Sequence, residues 1–394
     1  MTIRLAHRLQ RIHPSPTVSI TARAVRLREQ GRDVIALSVG EPDFGTPDHI
    51  KAAAVEAIAR GDTKYTAVEG ARALREAVAQ KFKRDNRLDY QPDQILISSG
   101  AKQSCYNACL ALLDPGDEAI IPAPYWVSYP DMVRLADAEP VIIPTTLEQG
   151  FRINPEQLEA AMTPKTRLLI LNSPSNPTGA VYARADWVAL GELLRDHPRV
   201  VVLTDDIYEH IYWADAPFSS FAEACPDLYE RTLTVNGVSK CYAMSGWRIG
   251  YAAGPQPVIK AMTSIQSQST TNACSVSQAA ARVALTSDQN GVREMCGIFK
   301  QRHELVLDRM QRISGFECPS AQGAFYVFPK VAAAMRAKGA SNDVDFCEQV
   351  LEATDVALVP GSAFGAPGHL RMSFAASSET LNEALTRIER FMAL

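Results

Sequence analysis

Lys240 stands in the stretch Ser239-Lys240-Cys241-Tyr242-Ala243-Met244-Ser245-Gly246-Trp247-Arg248, a single lysine among small and hydroxyl residues with an arginine eight positions on. A lysine that acts as a nucleophile must shed its proton near neutral pH, which burial and a neighbouring cation promote. An arginine at that distance suits an anion such as a phosphate. Together they fit an amine that carries a phosphate-bearing aldehyde. Alone, a lysine after an apolar strand is more often a solvated strand end, so the elements around it have to decide.

Short apolar runs alternate with amphipathic stretches: Gln94 to Ser98, Glu118 to Ile121, Val141 to Ile143, Arg167 to Leu171, Val200 to Thr204, Thr232 to Val235 and Ile249 to Ala253. This alternation predicts an α/β fold with a mainly parallel sheet covered by helices. Further on the pattern changes to a long helix from about Val292 to Arg312, strands at Ala324 to Phe328, Val356 to Val359 and Leu370 to Ser373, and a final helix from Ser378. That predicts a smaller α+β domain built from both termini, 1–46 and 287–394, around a large domain at 47–286. The arginine-rich start, Arg4 to Arg28 ahead of the first acidic residue Glu29, has the look of a transit peptide, but a surface helix is the expectation.

The chemically informative residues follow the strands directly. Gly100-Ala101-Lys102 comes after the first run, Pro124-Tyr125-Trp126 after the second, Asn172 to Gly179 after the fourth, Asp205 to Tyr208 after the fifth, and Ser239-Lys240 after the sixth. Open α/β sheets bind ligands outside the carboxyl ends of their strands, so these segments converge on one rim. Each suits pyridoxal phosphate. Gly100 and Ala101 open a helix whose free N–H groups favour a phosphate, with Ser239 and Arg248 completing the cradle. Trp126 offers a face for a pyridine ring, Asp205 a partner for its nitrogen, and Asn176 and Tyr208 donors for its oxygen. Singly, each has a plainer explanation: a core tryptophan, a helix cap for Asp205, a turn at Asn176-Pro177-Thr178-Gly179. Jointly they do not.

Composition excludes other classes. The 394 residues carry a net charge of −4 with no basic field for nucleic acid, and no apolar run is long enough to cross a bilayer. The eight cysteines form no CxxC pair and the seven histidines show no metal-ligand spacing, which predicts reduced thiols in a cytoplasmic protein and no metal. Cys105 and Cys109 share a helical face, as packing explains.

At this point the chain resembles the fold type I pyridoxal-phosphate aminotransferases of class I, in particular the bacterial-type aspartate aminotransferases. The resemblance runs from Pro14 through Ser38-Val39-Gly40-Glu41-Pro42-Asp43-Phe44, Thr63-Lys64-Tyr65-Thr66, the Pro124 to Pro130 and Asn172 to Gly179 segments and the lysine stretch, to Val359-Pro360-Gly361-Ser362 and His369-Leu370-Arg371-Met372-Ser373. It implies that Lys240 bonds the cofactor aldehyde and moves the proton at the substrate α-carbon. Arg371 would grip the α-carboxylate with its planar fork, helped by a backbone donor at Gly40. Tyr65 would reach the phosphate of a neighbouring subunit, implying a homodimer with shared active sites.

The implied reaction is a ping-pong exchange between amino acids and 2-oxo acids, from L-aspartate to 2-oxoglutarate. Some relatives read the distal carboxylate with an arginine matching the segment Gln266 to Asn272, yet no Lys or Arg lies between Lys260 and Arg282. In the bacterial-type branch a lysine matching Lys102 does this instead; a cation in the first turn of a helix meets the positive dipole end, a conflict that a bound anion removes. His13 stands where some relatives with prephenate activity carry a lysine. Aspartate/glyoxylate, aromatic or prephenate and alanine substrates remain alternatives, as does a carbon–sulfur lyase on the same lysine. A regulator fused to a winged helix-turn-helix is not expected with only a short arm ahead of the fold and an acidic pI.

Overall fold

The computed structural model describes residues 3–12 and 16–394; His13, Pro14 and Ser15 lie outside them, so the reading of His13 has no structural counterpart. Among the described residues twelve strands are formed: β1 (Ile35–Ala36), β2 (Ile95–Ser98), β3 (Glu118–Ala123), β4 (Glu139–Pro144), β5 (Thr166–Asn172), β6 (Val201–Asp205), β7 (Thr232–Gly237), β8 (Gly250–Ala253), β9 (Tyr326–Val327), β10 (Val356–Ala357), β11 (Val359–Pro360) and β12 (Leu370–Ser373). β2 to β8 make one sheet of order β2-β8-β7-β6-β5-β3-β4. Its neighbours pair in parallel except β8, which runs antiparallel to β7 and β2.

The strands are apolar on both faces because both are covered. In β5, Leu168 and Ile170 join a core with Cys105, Cys109, Met132 and Ile259, on helices Ala101–Leu112, Tyr129–Leu135 and Gln256–Ser267. The alternate residues Leu169 and Leu171 turn the other way, onto Trp187, Leu190, Leu194 and Phe221. This period of two with no polar face is why the runs read as buried strands.

The ends of the chain meet: β1 pairs in parallel with β10, while β11, β12 and β9 form a three-stranded antiparallel sheet. The expected single strand at Val356 to Val359 is two strands in different sheets, because Leu358 lies between the pairing with β1 and the pairing with β12. Around it pack the helix Asn290–Met310, the helix Asp343–Thr354 and the final helix Ser378–Ala393, whose Leu381, Leu385 and Ile388 are fully buried. One core runs from these residues without a break to Ile95, Ile97 and Tyr251 at the edge of the large sheet.

Candidate active site

The carboxyl ends of β2, β3, β5, β6 and β7 open on one rim, where a cavity of about 380 Å³ is lined by Gly40, Ala101, Lys102, Trp126, Asn176, Asp205, Tyr208, Ser239, Lys240, Arg248 and Arg371 among others. Segments separated by up to 331 positions, from Gly40 to Arg371, therefore share one pocket. Tyr65 does not: it is 91% exposed and lies beside a different depression with Lys64 and Arg282. Gly100 backs the rim rather than lining it.

Gly100 is fixed by two needs. Its φ of +90° is left-handed, and a Cβ there would fall 2.3 Å from Arg248 Nη2. Arg248 is thus laid against the first turn of the helix Ala101–Leu112, donating to the carbonyls of Ser245 (2.9 Å) and Ser99 (3.3 Å). The helix N-terminus and the guanidinium converge where an anion would sit. Lys102, also in that turn, places its ammonium 4.8 Å from the centre of the Trp126 ring.

Asp205 ends β6 and is buried. Its Oδ2 accepts from Tyr129 Oη at 2.7 Å and its Oδ1 from the Ile207 N–H at 3.3 Å. Burial pushes its pKa up to about 6 against those two bonds. Asp206, the adjacent aspartate, faces away from the pocket; burial and the Glu209 charge push its pKa well up. Lys240 donates to the Gly40 carbonyl at 2.6 Å. Burial lowers its pKa to about 8; Glu41 opposes this, while Arg371 and Arg248 add to it.

Arg371, in β12, is 3% exposed and has no carboxylate partner among the described residues. Nη1 donates to Asn176 Oδ1 (2.9 Å) and Nη2 to the Ser38 carbonyl (2.7 Å), and Nε is buried without a partner. The rings of Tyr326 and Phe364 lie 4.5 and 5.0 Å from its guanidinium carbon. Asn176 is held through its backbone N–H by Asn172 Oδ1, and with its own Oδ1 taken by Arg371 its amide group is left to donate.

Sequence reasoning passed over three residues here. Tyr129 supports Asp205; it opens the helix Tyr129–Leu135 three positions after Trp126, within the same segment that follows β3. Tyr326 places its hydroxyl 3.0 Å from that of Tyr208 and its ring on Arg371. Asn172 bridges two strand ends, donating to the Asp205 carbonyl at 2.7 Å.

A large sheet with one antiparallel strand, a rim lysine of lowered pKa and a buried, acid-free arginine define an enzyme of amine and carboxylate chemistry. Residues 32–388 match the family described as aminotransferase class I and II, and the chain belongs to that family; it is a transaminase. It is 50% identical over 397 residues to an aspartate/prephenate aminotransferase of Nitrosomonas europaea, covering 99% of this chain and 100% of that one. A counterpart of the same description in Cereibacter sphaeroides is 51% identical, over 99% and 98% of the two chains. Among solved structures, the aspartate aminotransferase of Rhizobium meliloti superposes with a TM-score of 0.95 at 47% identity, over 100% and 99% of the chains. That of Thermus thermophilus with maleate gives 0.92 at 44%, over 99% and 100%.

Proposed function

We propose that this pocket holds pyridoxal 5'-phosphate and that the protein transfers the amino group of L-aspartate to 2-oxoglutarate in a ping-pong exchange. The observation that carries this reading is the charge of the lining: among the described residues Lys102, Lys240, Arg248 and Arg371 face Asp205 as its one carboxylate. An unpaired buried cation such as Arg371 is costly unless a ligand supplies the anion. The residues fit the cofactor, because the Gly100 turn admits no side chain against Arg248 and leaves room for a phosphate at the helix N-terminus.

When bound, the cofactor supplies an aldehyde for amine exchange and a ring that withdraws electrons from the substrate α-carbon. The chain supplies position and protons. The Gly100–Ala101 turn, Ser239 and Arg248 would hold the phosphate, Trp126 would cover one ring face, Asp205 would keep the ring nitrogen protonated, and Asn176 and Tyr208 would donate to the ring oxygen. Lys240, its pKa lowered to about 8, would be the base that moves the proton at the substrate α-carbon. Arg371 would take the α-carboxylate in a two-bond fork, assisted by the Gly40 N–H, and Lys102 the distal carboxylate. Tyr65, exposed and apart from its own pocket, fits a role in a neighbouring subunit's phosphate site, hence a homodimer. The large domain would span 47–286 and the smaller one 1–46 with 287–394, the two sharing a continuous core. Free thiols fit a cytoplasmic setting, and no described helix is long and apolar enough to cross a membrane.

The names of the relatives favour a second reading in which prephenate is also an acceptor. Absorbance after adding pyridoxal phosphate to the apoprotein, followed by initial rates with aspartate and 2-oxoglutarate, alanine and pyruvate, and glutamate and prephenate, tests both. A visible band with the first pair fastest is expected. No band, or alanine with pyruvate equal to aspartate with 2-oxoglutarate, would sink the reading.

A further inference from the structure

The turn that follows β6 has two faces. Asp205, Ile207 and Tyr208 line the pocket, whereas Asp206 and Glu209 are buried on the side away from it. On that hidden side Glu209 accepts from Asn86 Nδ2 at 2.7 Å and from Asn236 Nδ2 at 2.9 Å, and it pairs with the ammonium of Lys81. Lys81, 1% exposed, also donates to Asn86 Oδ1 at 2.7 Å. Burial works against the Glu209 charge, but Lys81, His210 and the bond from Asn86 outweigh it and keep its pKa low.

The backbone is shaped for this contact. Lys81 closes the α-helix Arg72–Lys81, and the next turn, Phe82–Asn86, is π-helical. A π turn brings residues five apart to the same side, so Lys81 and Asn86 both meet Glu209. Asp85, Glu209 and His210 are spaced like ligands of a metal ion. The Lys81 ammonium already supplies a cation there, and no ion is invoked.

A buried ion pair adds little net stability compared with apolar side chains of the same volume. What it does is fix geometry, since a charge cannot slide to an unpaired place in the interior. The turn itself is held by few backbone bonds: Asp206 N–H to the Val235 carbonyl at 2.9 Å, Glu209 N–H to that of Asp206 at 2.9 Å and Ile211 N–H to that of Tyr208 at 2.8 Å. Glu209 adds an anchor on a further element, the 81–86 turn, and a second one on β7. The network also borders the lysine segment, as Glu209 and Lys81 both act on the thiol of Cys241, next to Lys240.

We infer that the Lys81–Asn86–Glu209–Asn236 network is a positioning device for transamination: it clamps the turn 205–210 from behind so that Asp205 and Tyr208 keep their places in the pocket. Its members touch neither substrate nor cofactor and act through those two residues. The inference rests on the reading of the pocket as the pyridoxal phosphate site.

Two variants test it. Glu209→Gln keeps the side chain's shape and removes its charge; the double variant Lys81→Met with Glu209→Leu replaces the pair by apolar groups of similar volume. Both are loaded with pyridoxal phosphate and compared with wild type for melting temperature, kcat, KM for aspartate and the pH midpoint of the bound cofactor's visible absorbance. In at least the double variant, kcat should fall on the order of tenfold to a hundredfold with KM little changed, the signature of misplaced groups. The absorbance midpoint should move by about half a pH unit or more as Asp205 shifts against the ring. Unchanged kcat and midpoint in both folded variants would overturn the inference, and so would failure of both to fold, which would make the network an element of stability alone. A wild-type protein without the visible band would instead refute the cofactor reading.

Discussion

Arg371 and Lys81 are both buried cations, 3% and 1% exposed, on opposite sides of the Asp205–Tyr208 turn. Lys81 is paired with Glu209 and bonded to Asn86. Arg371 has only neutral acceptors, two aromatic faces and a bare Nε. The back of the turn is complete in the folded chain, while the front has a charge whose counterpart must come from outside. A fold that maximised stability would treat both alike; the asymmetry marks the front as a binding surface.

The largest effect concerns the front alone. Lys240→Ala removes the proposed base and the amine that meets the aldehyde, and turnover should fall by about four powers of ten or more. The variant should still bind pyridoxal phosphate through the Gly100 turn and Arg248, with an altered visible spectrum. Stopped-flow absorbance with aspartate is the measurement, and turnover within tenfold of wild type would remove Lys240 from the reaction.

The comparison itself breaks or holds on a matched pair. Lys81→Met leaves Glu209 buried without its cation and should cost about 3 to 5 kcal/mol of stability. Arg371→Met strands no carboxylate, so its melting temperature should change far less, while kcat/KM for aspartate should drop by about two to three powers of ten, the cost of one partner lost from a buried charged contact. Thermal melts of the two apoproteins and steady-state kinetics of Arg371→Met suffice. Equal destabilisation would mean that Arg371 is as structural as Lys81.

Much of the front was legible because its residues follow apolar runs. Asn176, Asp205, Lys240 and Trp126 lie at or just after strand ends, and a rule about strand ends gathers them without knowing a single contact. Of the two adjacent aspartates, Asp205 lines the pocket and Asp206 does not. The back was not legible. Lys81 at the end of an amphipathic helix reads as a solvated charge, and the π turn that swings Asn86 beside it has no signature in composition. Tyr326 lies inside an apolar run and reads as core, which it also is; only the fold brings its hydroxyl to Tyr208. The reversed direction of β8 and the division at Leu358 depend on pairing partners far along the chain, which local pattern does not contain.

A third region gives the comparison a control with pH. His303 is buried, its Nε2 accepts from the Ala321 N–H at 3.0 Å, and burial lowers its pKa to about 4. The ring stays neutral in the folded protein while the unfolded chain binds a proton near pH 6.5. Stability from this group is therefore complete above pH 6.5 and is lost as pH falls toward 4, by up to roughly 3 kcal/mol. Asp205, whose pKa is raised to about 6, has the opposite sign: in the apoprotein it costs stability as pH rises through the same window. Urea melts of the apoprotein at pH 4.5, 5.5 and 6.5 (about one unit apart, the spacing that resolves a single titration) should show the His303→Gln variant losing less stability than wild type on acidification. An identical slope would show that the ring takes up its proton as readily in the folded protein as in the unfolded chain, so that Nε2 does not hold the Ala321 N–H.

The smallest effect sharpens what the front recognises. Lys102 has no carboxylate partner among the described residues, lies over Trp126 and sits in the first turn of a helix, the last of these mildly unfavourable until an anion arrives. If that anion is the distal carboxylate of the substrate, Lys102→Ala removes a charge-assisted contact of about 1.5 to 3 kcal/mol. kcat/KM for aspartate and 2-oxoglutarate should then fall by roughly one to two powers of ten. Alanine and pyruvate, which lack the second carboxylate, should be spared. The control is internal, because Lys102 also neighbours Arg248 and the phosphate turn. Damage to cofactor binding would lower both substrate pairs in parallel even at saturating pyridoxal phosphate, and that outcome would move Lys102 from reading the substrate to holding the cofactor.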